Sequence, residues 1–257
     1  MRSAQHMRPR EIAAARDGSG VAFVPVSPQF EWHSYHLPLG TDAVIAETLS
    51  RLVAERVGGI YFPVLSFGMD AIRNEKECAA WGLNVEDQVY GMRHPGLPVM
   101  SEYATKDEML KTLANRIEAI RLTGFRHAFI VNNHGGKGQR EELARFAEDA
   151  TTDACAVHYV STYKFRTLDA GDLVRVGGHA GLSETMLVLA FRPDLVDLTQ
   201  IPDGELSVAE MGILHNKPTI EAKYNPRNAM IAVANDVREN MVSNFTELVR
   251  ETIGEAS

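Results

Sequence analysis

A short segment after the first apolar run of the chain, FEWHSYHLPLGTD over residues 30–42, concentrates side chains that bind metal ions. It carries Glu31, His33 and Asp42 together with a second histidine, His36. Carboxylates and imidazoles are ligands that Zn²⁺, Mn²⁺ and Fe²⁺ accept. One residue separates Glu31 from His33, so an extended backbone would project both side chains to the same side. The segment therefore favours a metal site, although Asp42 alone would also suit the N-cap of the following helix.

A second set of polar residues, VNNHGG, ends another apolar run and places His134 just before Gly135 and Gly136. Glycine permits a positive φ or a close backbone approach, so a tight turn is expected here. A phosphate-binding loop is the competing interpretation, but the GxxxxGK[ST] spacing is missing and a lone Gly-Gly pair is weak evidence. Taken alone, His134 would be more typical of a structural histidine than of a ligand.

A third set, GGHAGLSET, contains His179 and, five residues later, Glu184. A histidine on a flexible turn suits a general acid or base, because its ordinary pKa lies near neutral pH. Glu184 lies at the start of a helix, where the helix dipole stabilises an acidic side chain whatever its function. We predict catalytic roles for both residues.

Short apolar runs and longer amphipathic stretches alternate along the chain, and the three sets of polar residues lie between them. That alternation is typical of an α/β fold with a largely parallel sheet. Such sheets bind ligands beyond the carboxyl ends of their strands, which is where all three sets fall. Irregular structure is predicted over 69–99 and 199–228. Strands are predicted over 21–28, 60–68, 127–131 and 154–163, and helices over 41–57, 106–123, 140–150, 181–191 and 232–253.

Composition excludes several classes of protein. The 257 residues suit one domain, for which we expect the range 1–257 with residues 1–18 flexible. A formal net charge of -8 argues against a nucleic-acid binder, since such proteins carry clustered Lys and Arg. No apolar run approaches the roughly 18 residues of a membrane helix. Two cysteines without disulfide or thiol-metal spacing, and a basic N-terminus without the apolar stretch of a secretory signal, predict a cytoplasmic protein.

All three sets resemble signatures of the creatininase, or creatinine amidohydrolase, family. Its first signature runs approximately Glu-Gln-His-Gly-Pro-His-Leu-Pro-Leu-x-Thr-Asp, and residues 31–42 here read EWHSYHLPLGTD. Its Asn-Gly-His-Gly-Gly-Asn signature is similar to residues 132–137, and its His-Ala-Gly-x-x-Glu-Thr signature matches residues 179–185. The signatures occur in family order between about residues 21 and 196.

The resemblance implies a three-layer α/β/α domain, two divalent metal ions (Zn, Mn or Fe) and hydrolysis of a small molecule, often in a homohexamer. Carried over to this chain, Glu31 would bind one metal and His33 the other, with Asp42 bridging both. His134 would join the Glu31 metal. His179 would act beside the substrate as proton carrier or hydrogen-bond donor.

The fifth metal ligand is the point at which this chain departs most from the pattern. Creatininase has a glutamate ligand two residues after the histidine that corresponds to His134, and Gly136 stands there in this chain. Glu184 is the candidate that remains for this position.

Residues between the ligands also change, and they bear on the substrate. Trp32 and Tyr35 replace Gln and Pro of the first signature. Their rings would suit the face of a ring, sugar or cyclitol, or would pack against the following helix or a neighbouring subunit. We predict that they bind substrate together with Gly135 and His179.

The resulting prediction is a hydrolase that opens a small cyclic substrate, with a metal-activated hydroxide attacking a carbonyl as in amidohydrolases. Three alternatives stay open. A cyclic keto-cyclitol would open by hydrolytic carbon–carbon cleavage, as in members that resemble 3-dehydro-scyllo-inosose hydrolase; a formamide would be cleaved; or the chain would be a binding or structural homologue that has lost catalysis. The expected partners are the small molecule and further copies of the chain.

Overall fold

The computed structural model describes residues 3–84, 89–165, 178–211, 220–221 and 224–254. The strands of these residues are β1 (Val21–Ser27), β2 (Ile60–Tyr61), β3 (Leu65–Ser66), β4 (His127–Asn132) and β5 (Ala156–Ser161). Their α-helices are α1 (Pro9–Asp17), α2 (Thr41–Val57), α3 (Glu75–Ala80), α4 (Lys106–Thr123), α5 (Lys137–Ala150), α6 (Leu182–Phe191), α7 (Val208–Met211) and α8 (Ile231–Ile253).

The strands form a parallel sheet in the order β2-β1-β4-β5, and β3 pairs with the end of β1. β1 and β4 lie side by side in a register that runs from Val21 opposite His127 to Pro25 opposite Val131. β1 is buried along its whole length, as expected for a central strand of a parallel sheet that is covered on both faces.

Two helical layers cover the sheet. Successive strand residues point to opposite faces, so Val21 and Phe23 pack with the layer of α2, α6 and α8, whereas Ala22 and Val24 pack with the layer of α4 and α5. Phe23 stacks on Phe129 of the neighbouring strand with ring centroids 5.5 Å apart. The predicted α/β fold with a mostly parallel central sheet is confirmed.

Several predicted boundaries were wrong for local reasons. The single strand predicted over 60–68 is two short strands, β2 and β3, with Pro63 between them; proline has no N–H to donate to a strand ladder. α5 begins at Lys137 rather than at Arg140. A helix, α1, forms in the segment 1–18, which was expected to be flexible.

The two stretches predicted to be irregular contain short helices. α3 lies within 69–99, where the Asn74 side chain accepts hydrogen bonds from the backbone N–H groups of Lys76 and Glu77 and so caps the helix. α7 lies within 199–228. Parts of both stretches, 85–88, 212–219 and 222–223, lie outside the described residues. None of the described helices is long and apolar enough to cross a membrane.

Candidate metal centre

The carboxyl ends of two adjacent strands bring the first two sets of polar residues together. Glu31 and His33 lie in the segment that leaves β1, and His134 lies just after β4. The hydroxyl of Ser27, the last residue of β1, accepts a 3.1 Å hydrogen bond from the backbone N–H of Asn133, which ties the two strand ends together. Segments about a hundred residues apart in the chain thus meet at one edge of the sheet.

Glu31, Asp42 and His134 form one potential ligand group. Nδ1 of His134 lies 3.0 Å from Oδ2 of Asp42 and 3.4 Å from Oε2 of Glu31. All three residues are buried, and their ligand atoms lie within 4.8 Å of one another. The separation suits one ion that touches all three residues.

His33, Asp42 and Glu184 form a second group that shares Asp42 with the first. Nε2 of His33 lies 3.7 Å from Oε2 of Glu184 and 3.8 Å from Oε2 of Glu31. Glu184 reaches the centre from the first turn of α6. The two groups therefore overlap at a single carboxylate, that of Asp42.

Asp42 is not the N-cap of α2, the position that its residue type alone would also suit. Gly40 is the N-cap, and Asp42 lies within the first helical turn. The Asp42 carboxylate faces the site, where Oδ1 accepts a 2.6 Å hydrogen bond from the Asn133 side chain. Thr162 in turn donates to Oδ1 of Asn133, so the orientation of the amide is set and the Asp42 carboxylate is held in place.

Tyr103 supports Glu31 in a comparable way. Its hydroxyl donates a 2.5 Å hydrogen bond to Oε1 of Glu31 and accepts one of 2.8 Å from the backbone N–H of Met92. Burial, together with the Glu31 carboxylate, raises the pKa of Tyr103, so the hydroxyl stays a donor. The sequence held no signal for Tyr103, because it lies outside all three motifs.

The backbone before α6 adopts a rare conformation that serves Glu184. Ala180 has a φ of 55°, in the left-handed region that residues other than glycine rarely occupy. Its N–H donates a 2.6 Å hydrogen bond to Oε2 of Glu184. Strained backbone of this kind is concentrated at functional sites, and here it fixes a carboxylate that faces His33.

The charges of the centre are strongly coupled. Burial alone would raise the pKa of Glu31, but the neighbouring histidines, His134 foremost, outweigh it and lower that pKa. The pKa of Asp42 is lowered in the same sense, chiefly by its hydrogen bond to His134. Burial acts against a charged imidazole, yet the facing carboxylates raise the pKa values of His33 and His134. The buried acids and the facing imidazoles thus favour each other's charged forms.

Two buried atoms of the centre show that the residues fit a metal ion. Oε2 of Glu31 and Nε2 of His33 make no hydrogen bond within the described parts of the chain. An unpaired buried polar atom is costly, commonly about 1–3 kcal/mol. Both atoms belong to the groups described above and are typical ligands of divalent transition metals, so an ion would satisfy them.

His179 lies against the centre and belongs to a third group, with Glu31 and His33. Its ring centroid is 4.2 Å from that of His33. Nε2 of His179 donates to the backbone carbonyl of Trp32, which leaves Nδ1 as the proton acceptor of a neutral ring. Burial, and then the neighbouring His33, lower the pKa of His179 to about 3, so the ring is neutral near pH 7.

An open cavity of about 540 Å³ lies above the centre. Its size suits a small-molecule ligand. Glu31, Asp42, His134, Glu184 and His179 line it from the ligand groups. The remainder of the wall is formed by Asp70, Arg73, Glu77, Gly135, Gly136, Arg140, Tyr163, Gly178 and Tyr224.

Of the four residues predicted to bind substrate, the structure brings Gly135 and His179 to this cavity, but not Trp32 or Tyr35. Trp32 is 4% exposed and packs in the core. Tyr35 is 47% exposed, and its ring meets that of Trp32 edge-on at 5.1 Å. The two rings thus contact each other, an arrangement that differs from the predicted contact with substrate.

Gly136, where creatininase has a glutamate ligand, has no room for a side chain. A Cβ atom at this position would lie 2.1 Å from the carbonyl oxygen of Met69 and 2.6 Å from Nε2 of His134. That carbonyl accepts a 2.9 Å hydrogen bond from Nε2 of His134, and the N–H of Met69 donates 2.7 Å to the side chain of Gln139. Only glycine fits here without a shift of the backbone, whereas the Glu184 carboxylate lies 3.7 Å from Nε2 of His33.

Comparisons with known proteins agree with this geometry. The sequence profile of the creatininase family, described as creatinine amidohydrolase, matches residues 5–239. A creatininase with a tryptophan-to-phenylalanine substitution superimposes with a TM-score of 0.71 at 20% identity, over 97% of this chain and 98% of its own. A Zn–Zn form of a creatininase with a glutamate-to-glutamine substitution superimposes with a TM-score of 0.69 at 20% identity, over 98% of this chain and 99% of its own. A manganese creatininase superimposes with a TM-score of 0.67 at 20% identity, over 98% of this chain and 99% of its own.

No curated protein matches the chain. The solved structures, at about one residue in five identical, show a shared fold. The match to the family profile covers most of the sequence and includes all three motifs. The chain therefore belongs to the creatininase, or creatinine amidohydrolase, family.

Proposed function

We propose that this chain is a dinuclear metal-dependent hydrolase that opens a small cyclic amide. The observation that carries the proposal is the pair of ligand groups that share Asp42. Glu31, His134 and Asp42 would hold one ion, and His33, Glu184 and Asp42 the other. The related structures described as Zn–Zn and Mn forms support Zn or Mn as the ions, and Fe²⁺ accepts the same ligands.

Two divalent ions at this site would lower the pKa of a water molecule and polarise a substrate carbonyl. The chain's own side chains orient the carboxylates that would bind these ions. Tyr103 and Asn133 each hold one oxygen of a ligand carboxylate, Glu31 and Asp42 respectively, and leave the second oxygen towards His134. Carboxylates held in this way keep their position when the charge in the site changes.

His179 is the proposed proton carrier. Its neutral ring, fixed by the Trp32 carbonyl, has one free acceptor nitrogen beside the ligand groups. It would take the proton released by the attacking water and pass it to the leaving nitrogen of the opened ring. Glu184 acts as a metal ligand in this proposal, because its Oε2 faces His33 and is held by the N–H of Ala180.

The alternative carbon–carbon cleavage of a keto-cyclitol drew its support from Trp32 and Tyr35, and neither residue lines the cavity. A homologue without catalysis would have no need of the unpaired, buried Glu31 and His33 atoms. Amide hydrolysis is therefore the activity that the arrangement supports best. One of the related creatininase structures is a complex with creatine, a small molecule.

We also propose that the chain is a single domain that forms a cytoplasmic homo-oligomer. The proposed oligomer follows the family resemblance, and several large apolar side chains are exposed and would be available to an interface between copies. Among the described residues they include Phe30, Tyr35, Ile72, Met100, Met230 and Ile231.

The test combines metal analysis with an activity screen of the metal-loaded protein on cyclic amides, formamides and keto-cyclitols. We expect about two ions per chain, as for other dinuclear hydrolases, and turnover of a cyclic amide that Glu31→Gln abolishes. Absence of bound metal after metal-supplemented expression would support a binding protein instead. Equal turnover by Glu31→Gln would remove Glu31 from the mechanism.

A further inference from the structure

Beyond the ligand groups, four charged side chains of the described residues line the cavity: Asp70, Arg73, Glu77 and Arg140. Three of them are already engaged. Arg73 forms a 2.5 Å ion pair with Asp70 and donates a 3.0 Å hydrogen bond to the carbonyl of Gly91. Glu77 accepts a 2.9 Å hydrogen bond from the backbone N–H of Asn74 as part of the cap of α3.

Arg140 differs from the other three. Its side chain makes no hydrogen bond or ion pair with any residue in the parts of the chain that the structure describes. It lies in the first turns of α5, where the helix dipole disfavours a positive charge. That turn contains no acidic residue, and its N-cap, Gly136, offers no side chain. An unpaired cation is thus held at the wall of the cavity in a position where an anion would be stabilised.

We propose that Arg140 recognises a carboxylate of the substrate, so that the natural substrate is an anionic cyclic amide whose carboxylate lies away from the bond that is cleaved. The inference rests on the proposed function, because it assumes that the reacting carbonyl sits at the metal centre. A guanidinium binds a carboxylate through two parallel hydrogen bonds, which fixes the orientation of the ligand as well as its affinity.

A singly charged carboxylate fits the wall better than a phosphate dianion. Arg140 offers one free positive charge, and the acids Asp70 and Glu77 line the same cavity. Arg73 cannot add a second free charge, because it is already paired with Asp70. Among the side chains that the structure describes, a dianion would therefore meet one unpaired cation and two neighbouring carboxylates.

The experiment compares two inhibitors that share a metal-binding hydroxamate. Butyrohydroxamate has an apolar four-carbon chain, and succinic monohydroxamate has the same chain length with a terminal carboxylate. Their dissociation constants are measured on the Mn²⁺-loaded full chain for the wild type, Arg140→Gln, Arg140→Lys and Arg145→Gln. Arg145 is the matched control, since it lies on the same helix, pairs with Glu142 and does not line the cavity.

We expect the wild type to bind succinic monohydroxamate at least about tenfold more tightly than butyrohydroxamate, the size of one charge-assisted hydrogen bond. Arg140→Gln should lose that preference, Arg140→Lys should keep part of it, and Arg145→Gln should keep all of it. Equal affinities in the wild type, or a preference that survives Arg140→Gln, would overturn the role of Arg140 while the metal proposal stands. If neither hydroxamate binds, the metal site itself fails and the inference fails with it.

Discussion

The hydroxyl of Tyr103 holds Oε1 of Glu31 at 2.5 Å, while Oε2 of the same carboxylate faces Nδ1 of His134 at 3.4 Å. One oxygen is thus anchored to the protein, and the other is left for an ion. Because Tyr103 also accepts a hydrogen bond from the N–H of Met92, its ring is fixed from the backbone side. The position of the carboxylate is set before any metal arrives.

Replacing Tyr103 by phenylalanine should therefore weaken metal binding without removing a ligand. We expect Tyr103→Phe to lower the affinity for Zn²⁺ about 10- to 100-fold, as is usual when a partner of a metal ligand is lost. Titration of the metal-free protein against a chromophoric chelator measures this. The control is Tyr90→Phe, since the Tyr90 hydroxyl contacts the N–H of Asp70 rather than a ligand. Unchanged affinity in Tyr103→Phe would show that Glu31 does not depend on this bond.

Asp42 belongs to two ligand groups, so its loss should affect both ions. We expect Asp42→Asn to reduce the metal content from about two ions per chain to fewer than one, because a neutral amide is a poor ligand for divalent transition metals. Elemental analysis of the dialysed protein measures the number of metal ions bound per chain. Glu47→Gln, on the same helix but outside the ligand groups, should keep both ions. Retention of a full metal complement by Asp42→Asn would contradict the bridging role.

Gly136 and Gly138 form a matched pair on either side of the start of α5. A Cβ atom at Gly136 would meet the Met69 carbonyl at 2.1 Å, whereas one at Gly138 finds only the Met69 methyl at 3.9 Å. We expect Gly136→Ala to lower the free energy of unfolding by about 1–3 kcal/mol through overpacking. Gly138→Ala should instead raise it by about 0.5–1 kcal/mol through helix propensity. Denaturant unfolding of the two metal-free variants measures these changes in the free energy of unfolding. Equal changes in both variants would mean that the turn at Gly136 can shift to accept a Cβ atom.

The stability of the metal-free protein should depend on pH in a defined direction. The pKa values of His33 and His134 are raised on folding, so their contribution is complete below the ordinary histidine pKa and is lost as the pH rises through the raised values. The pKa values of Glu31 and Asp42 are lowered, so their contribution is present above the ordinary carboxylate pKa and is lost as the pH falls. The pKa of His179, by contrast, is lowered on folding, so its contribution is lost as the pH falls below the ordinary histidine pKa. Together these groups should make the metal-free protein most stable near about pH 6.5.

Metal binding should reverse the loss at higher pH, because ligand histidines must be neutral. We expect the increase in melting temperature on adding Zn²⁺ to grow from about pH 6 to pH 8. Calorimetric titrations in buffers of different ionisation enthalpy should show proton release. Metal uptake without proton release near neutral pH would mean that the histidines are already neutral.

Much of the architecture could be predicted from sequence, because it depends on local patterns. Alternating apolar runs and amphipathic helices fix a parallel sheet, and strand ends bring Glu31 and His134 to one edge. Glu31, His33, Asp42, His134 and Glu184 are indeed brought within reach of one another. Their roles as ligands stay predictions.

What sequence reasoning missed depends on tertiary contacts. Tyr103 lies 72 residues from Glu31, and nothing in its own neighbourhood marks it as a partner of a carboxylate. Arg140 became notable only because the structure gives it no partner among the described residues and places it at the cavity. Trp32 was assigned to substrate from its ring chemistry, but its burial is decided by the packing of the segment after β1.

The two bonds at Met69 have a mechanical consequence for the cavity. Its carbonyl accepts from His134 and its N–H donates to Gln139, so the backbone next to Asp70 is pinned to the turn that carries a ligand. A shift of the His134 ring on binding or losing an ion would therefore move the backbone of Met69, next to Asp70 in the wall of the cavity. The position of the metal ligand His134 and the shape of the cavity beside Asp70 would then change together.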